Sequence, residues 1–205
     1  MNADSIAAIE SFTPNSKPYG LTFGEWTVRW WQWAHGSPKA LNPVLDQTGV
    51  NANINQSGPV WFLAGTFGEN NIAKRSCTLP FGKAILFPVI NYEMNELENP
   101  RIRTGRDLVK HVLQDIDDIV VKQAIVDGKE VPIYRIQSDP SIFELNIDSD
   151  NCMGIRGGIT KAAADGYWVF LKPLDLGQHT IYFHGACSGG TRNAAAEYCI
   201  DVHHT

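Results

Sequence analysis

The chain lacks any apolar run long enough to cross a bilayer. Its longest, Ala84 to Ile90, is interrupted by Pro88, whereas a spanning helix needs about 20 apolar residues. A basic surplus is also missing: 17 Lys and Arg stand against 22 Asp and Glu, for a net charge of −5. No general positive field gathers nucleic acid or holds an anionic membrane, so nucleic acid is not an expected partner. There is no C-x-x-C pair among the four cysteines, which argues against a zinc ribbon or a thioredoxin-like motif. G-x-S-x-G, the P-loop, G-x-G-x-x-G and H-E-x-x-H are absent too. The segment Met1 to Glu10 has neither a positive n-region nor an apolar h-region, so it does not read as a signal peptide.

What is present is an ordinary globular composition, 43% apolar and 19% charged over 205 residues, enough for one domain with a full core. Residues 1–20 are polar and carry Pro14 and Pro18, which suits an extended N-terminal arm. Residues 21–205 read as a single domain. Thr22-Phe-Gly-Glu25 has capping-box spacing and opens a helix from Gly24 to Ala34 that should stop at His35-Gly36. Trp26, Trp30 and Trp33 fall at i, i+4 and i+7 on one face. Glu25 and Arg29 are i, i+4 on another. A second helix is expected from Gly105 to Asp118, capped by Thr104, with Leu108, Val112 and Ile116 as its buried stripe.

The remainder reads as β. The runs are Pro59–Thr66, Lys83–Ile90, Ile119–Val126, Val131–Ile136, Phe143–Ile147, Gly158–Ala164, Tyr167–Leu171, His179–Cys187 and Glu197–His203. Asp127-Gly128 is a strong hairpin turn. Short strands at this spacing with only two helices predict a mainly β protein: an antiparallel, jelly-roll-like β-sandwich with one Trp-rich helix.

Several residues are candidates for chemistry. The Trp helix offers either core packing or an aromatic platform for a sugar ring or another flat ligand, and the 3.6-residue period favours packing. Trp31 leaves the packed face, so it and Trp61, together with Glu96, are the ligand-binding candidates. Asn91, Glu93 and Glu96 follow a strand, where sandwiches carry ligands. They either supply oxygen ligands and paired carboxylates or form a solvated loop. With Glu25 and Arg29, Asn91 and Glu93 are the candidate catalytic groups. Cys187 and Cys199 flank a Gly-rich loop, and directly opposite on a hairpin they suit a disulfide. Such a bridge stabilises by about 3 kcal/mol in the chain-entropy model and implies an oxidising compartment. In that register His184 and His204 become diagonal neighbours, two ligands for a transition metal lacking a third; the alternative is solvated terminal histidines. No other cofactor is indicated. His35 reads as a cation at a helix C-terminus.

Glu25-Trp-Thr-Val-Arg-Trp-Trp-Gln-Trp33, Gly58-Pro-Val-Trp-Phe-Leu-Ala-Gly65 and Pro80-Phe-Gly-Lys-Ala-Ile-Leu-Phe-Pro-Val-Ile-Asn91 are distinctive, as is Asp165-Gly-Tyr-Trp-Val-Phe-Leu-Lys-Pro173. On these segments the chain resembles a poorly characterised family of bacterial and archaeal proteins, many of them secreted. That resemblance implies a single β-rich domain and an extracytoplasmic setting, and it carries no functional residues; without a leader in this chain, the cytoplasm stays open. The leading expectation is a non-enzymatic binder of a small molecule, a glycan or a protein of the cell envelope. A carboxylate- or metal-dependent enzyme is the alternative, and a structural subunit that assembles into a homo-oligomer is a third.

Overall fold

The computed structural model describes residues 9–67, 71–102 and 104–204; the first eight residues of the expected arm lie outside that description. Ten strands form two five-stranded sheets: β1 (Val60–Phe62), β2 (Ala73–Pro80), β3 (Ala84–Asn95), β4 (Ile119–Val126), β5 (Lys129–Glu130), β6 (Tyr134–Arg135), β7 (Phe143–Ile147), β8 (Gly158–Leu171), β9 (Gly177–Cys187) and β10 (Asn193–His203). The first sheet runs β1-β3-β8-β6, with β7 also paired to β8, and the second runs β2-β10-β9-β4-β5. The expected sandwich is present, but its sheets are mixed, because β1 joins β3 and β2 joins β10 in parallel. The chain alternates between sheets there, β1 to β2 to β3, and such crossings permit parallel neighbours.

Ile85, Phe87 and Val169 of the first sheet meet Ile181, Phe183 and Ile200 of the second to form the core between the sheets. The outer face of the first sheet is covered by α1 (Phe23–His35), with Trp26, Trp30, Trp31 and Trp33 all buried. The capping box is formed as the sequence requires: Thr22 Oγ1 accepts from the Glu25 N–H at 3.1 Å and Glu25 Oε2 from the Thr22 N–H at 2.6 Å. The second helix, α2 (Gly105–Asp117), buries Leu108, Val112 and Ile116 and packs on Met94 and Ala163. No described helix is long and apolar enough to cross a membrane. The arm is tied down by Phe12 N–H to Phe170 O and Lys172 N–H to Glu10 O, both at 2.8 Å.

Two features of β3 set up the site. The strand does not stop at Ile90 but continues to Asn95, and it bulges between Pro88 and Ile90. One extra residue reverses the inward parity. Ile85, Phe87 and Val89 face the second sheet, whereas beyond the bulge Ile90 and Met94 face α2. Asn91, Glu93 and Asn95 are thereby assigned to the opposite face, the one α1 covers. The partner strand β1 is only three residues long, and its last cross-link is Leu63 N–H to Leu86 O at 3.0 Å. The edge of β3 beyond Leu86 therefore has no strand beside it. Pro88, which has no N–H to leave unpaired, occupies this edge.

The β9–β10 hairpin corrects the expected register. Asn193 pairs with Ala186, and Cys199 lies opposite Thr180 rather than Cys187. All four cysteines are free thiols. His184 pairs with Ala195, which places it about nine residues, or about 30 Å of strand, from the His204 end. His204 packs edge-on against Phe81 instead. The expected disulfide and the His184/His204 pair are both withdrawn, since the hairpin turns around Gly189 and Gly190, earlier than a Cys187–Cys199 pairing requires.

Candidate functional site

A cavity of about 310 Å³ lies at the vacant edge of β3. Trp30 and Trp31 of α1, Gly65 to Phe67 after β1, Pro88 and Ile90 to Tyr92 of β3, Asp115 and Ile116 of α2, and Thr191 to Ala194 at the β9–β10 turn and the start of β10 surround it. A wider groove of about 760 Å³ crosses the second sheet near Ser76 and Thr180. Among the described residues no buried, unpartnered side-chain atom belongs to that groove. The smaller cavity differs in that respect.

Three of the four indole N–H groups on α1 donate to main-chain carbonyls: Trp26 to Pro18 at 2.8 Å, Trp30 to Leu63 at 2.9 Å and Trp33 to Ile54 at 2.8 Å. Trp31 Nε1 is buried and has no such acceptor. The residue is only 5% exposed, which corrects the expectation of an outward-facing ring. Its face is covered by His35, one helical turn on, with ring centroids 5.5 Å apart and planes inclined at 21°. Trp30 meets it edge-to-face at 5.0 Å. A flat platform for a sugar ring is thus not on offer.

Beside Trp31 lies the polar stripe of β3. Asn91 Nδ2 and Glu93 Oε1 are buried without a hydrogen-bond partner, as is Trp168 Nε1 on the neighbouring strand. Glu93 Oε2 approaches His35 Nε2 to 3.3 Å with both side chains 2% exposed, close enough for an ion pair but without the alignment of a hydrogen bond. Asn95 Nδ2 donates to Glu93 Oε2 and Glu98 Oε2, each at 3.4 Å. Burial, and then the charge of Glu93, raises the pKa of the Glu98 carboxyl above its ordinary value, with His35 opposing. Buried polar atoms without partners are costly, about 1–3 kcal/mol each, so a cluster of them marks a place built for something the chain itself does not supply.

At the mouth Arg192 is held by Asp115 at 2.7 Å and Asp118 at 3.2 Å, and it lies 5.7 Å from the Tyr92 ring centre. Two carboxylates face one guanidinium. Next to it, the Cys187 thiol receives the Arg192 N–H at 3.3 Å and touches the Thr191 hydroxyl at 3.5 Å. The Thr191 contact first and the Arg192 N–H second hold its pKa down at about 6, against the effect of burial. The wall at Gly65 and Thr66 is set from behind by buried Arg75, which donates to Gly65 O at 3.1 Å, Val44 O at 3.2 Å, Asp46 O at 2.6 Å, the Ala64 carbonyl, and Tyr198 Oη at 2.7 Å.

No family model, curated protein or solved structure matches the chain.

Of the residues singled out from sequence, the structure gathers Trp31, Asn91 and Glu93. Glu25 is spent on the helix cap, and Arg29 is exposed over Trp26 at 5.2 Å. Trp61 is buried in the core between the sheets, and Glu96 is half-buried with its N–H bonded to Lys161 O. The described residues contain no group of three or more His, Cys, Asp or Glu side chains placed to hold a metal ion. Sequence reasoning missed His35 as a site residue, along with Arg192 and Thr66. The signal for His35 was its spacing of four from Trp31; for Arg192 and Thr66 there was none.

Proposed function

We propose that the protein binds a small organic molecule in the cavity at the open edge of β3. The observation that supports this most directly is the indole N–H of Trp31, the one of the four on α1 without an acceptor, in a residue that lines the cavity. An apolar lining with a few polar groups is what small-molecule sites present. A mainly apolar lining suits a small molecule better than a glycan, whose many hydroxyls each need a partner. With the disulfide withdrawn, an extracytoplasmic setting rests on the family resemblance alone.

The test is native mass spectrometry of protein from its own source, beside an Ala194→Phe variant that fills the cavity. A stoichiometric organic adduct that the variant lacks supports the proposal. A bare wild-type mass, or an adduct retained by the variant, overturns it.

One observation favours a second reading, an acid–base enzyme acting on the same molecule. Glu93 and His35 form a buried carboxyl–imidazole pair directly behind Trp31, the residue types that move protons in catalysis. Recovery of the bound molecule chemically unchanged after prolonged incubation with excess protein would contradict this reading.

A further inference from the structure

The cavity's donors and charges together define what it takes. Two residues that line it carry buried N–H donors without an acceptor, Trp31 Nε1 and Asn91 Nδ2, so a ligand group that matches them is an oxygen acceptor. A carboxylate or phosphate offers acceptors but meets the wrong field. The one guanidinium at the mouth is already bound to Asp115 and Asp118, and Glu93 and Glu98 stand behind the floor. Bringing an anion into a low-dielectric site beside these carboxylates is unfavourable. A cation meets the converse problem, since an ammonium group carries no lone pair for the two N–H donors. Much of the remaining lining is apolar, from Trp30, Val44, Pro88, Ile90 and Ile116, while Thr66, Tyr92, Thr191 and Asn193 add a few polar groups.

We infer that the ligand is an uncharged, mainly apolar molecule that presents a carbonyl oxygen to the Trp31 indole N–H and the Asn91 amide. This rests on the binding reading above and adds the chemical class to it. A single carbonyl oxygen has two lone pairs and so can accept from two N–H donors.

Three probes of one shape separate the classes: acetophenone, benzoate and 1-phenylethylammonium. Each is titrated into protein carrying ¹⁵N-labelled indoles, with the Trp31 N–H resonance identified by its loss in Trp31→Phe. Acetophenone is expected to shift that resonance saturably, and to bind at least about tenfold more tightly than either ion. Trp31→Phe, read on the Trp30 indole resonance, should weaken acetophenone about tenfold and shrink its advantage over the ammonium probe. Asn91→Leu, an independent variant read by the same Trp31 resonance, should weaken it likewise. Tighter binding of benzoate or of the ammonium probe overturns the class while leaving the binding reading standing. Acetophenone binding that neither variant alters overturns the class as well. If no probe moves the Trp31 resonance, both fail.

Discussion

Trp31 and His35 stack one helical turn apart, their ring centres separated by 5.5 Å. In this contact the tryptophan gives its face to the protein rather than to a ligand. The pairing links α1 to the polar stripe of β3, because His35 also reaches Glu93. A helix that covers a sheet normally offers only apolar side chains to it. Here its last turn brings an imidazole and an unpartnered indole N–H.

The four helix tryptophans should respond unequally to loss of their N–H. Trp30→Phe removes the donor to Leu63 O and strands a buried carbonyl, so it should destabilise by about 1–3 kcal/mol more than Trp31→Phe in ligand-free protein. Urea midpoints of the two variants measure the difference. Equal losses would mean that Trp31 Nε1 has a partner after all.

His35 and Glu93 should behave as a coupled pair. His35→Leu or Glu93→Leu alone leaves the other side chain's polar atoms buried, at a cost of about 1–3 kcal/mol or more. The double variant should recover part of that cost, since replacing both partners by apolar groups is often close to neutral. A double-mutant cycle in urea reads the coupling; additive losses would show that the 3.3 Å approach carries no energy.

Arg75→Met should cost about 3 kcal/mol or more, because it removes several charge-assisted hydrogen bonds at once from buried carbonyls. Its acceptors include Gly65 O on the cavity wall, so ligand affinity should fall along with the unfolding midpoint. Affinity that stays at the wild-type level in folded Arg75→Met would detach the wall from this clamp.

Cys187 makes stability depend on pH in a definite sense. Its folded pKa of about 6 lies below the ordinary thiol value near 8.5, so the native state favours the thiolate. The associated stabilisation is complete above the unfolded value and is lost as pH falls through about 6. Between those limits wild type should gain stability with rising pH relative to Cys187→Ala. A pH-independent difference between the two would contradict the hydrogen bonds drawn from Thr191 and Arg192.

The residues that fix local structure were legible because their signals are local. Thr22 and Glu25 announce a cap, Leu108, Val112 and Ile116 a stripe, and Asp127-Gly128 a turn. What was not legible depended on pairing. The register of β9 and β10 turns on how far the Gly-rich tip extends, and equally plausible hairpins place Cys199 opposite different residues. The stretch from Asn91 to Asn95 looked like a solvated loop because it is polar at alternate positions. In a strand that same alternation is a one-sided polar face, and only the bulge after Pro88 decides that it lies under α1. Trp31 left the apolar stripe of its helix, yet it is buried because the neighbouring surface is the polar end of a sheet and not solvent. β2 escaped notice altogether: Lys74, Arg75, Ser76 and Thr78 mask a strand whose buried arginine binds carbonyls instead of a carboxylate.

The most direct test is a crystal structure of the protein purified from its own source, with attention to what lies against Trp31 Nε1. The account predicts organic density filling the cavity, with an oxygen within hydrogen-bond distance of that nitrogen. An indole N–H bonded only to ordered water or to a protein carbonyl, with no organic molecule beside it, would contradict the account.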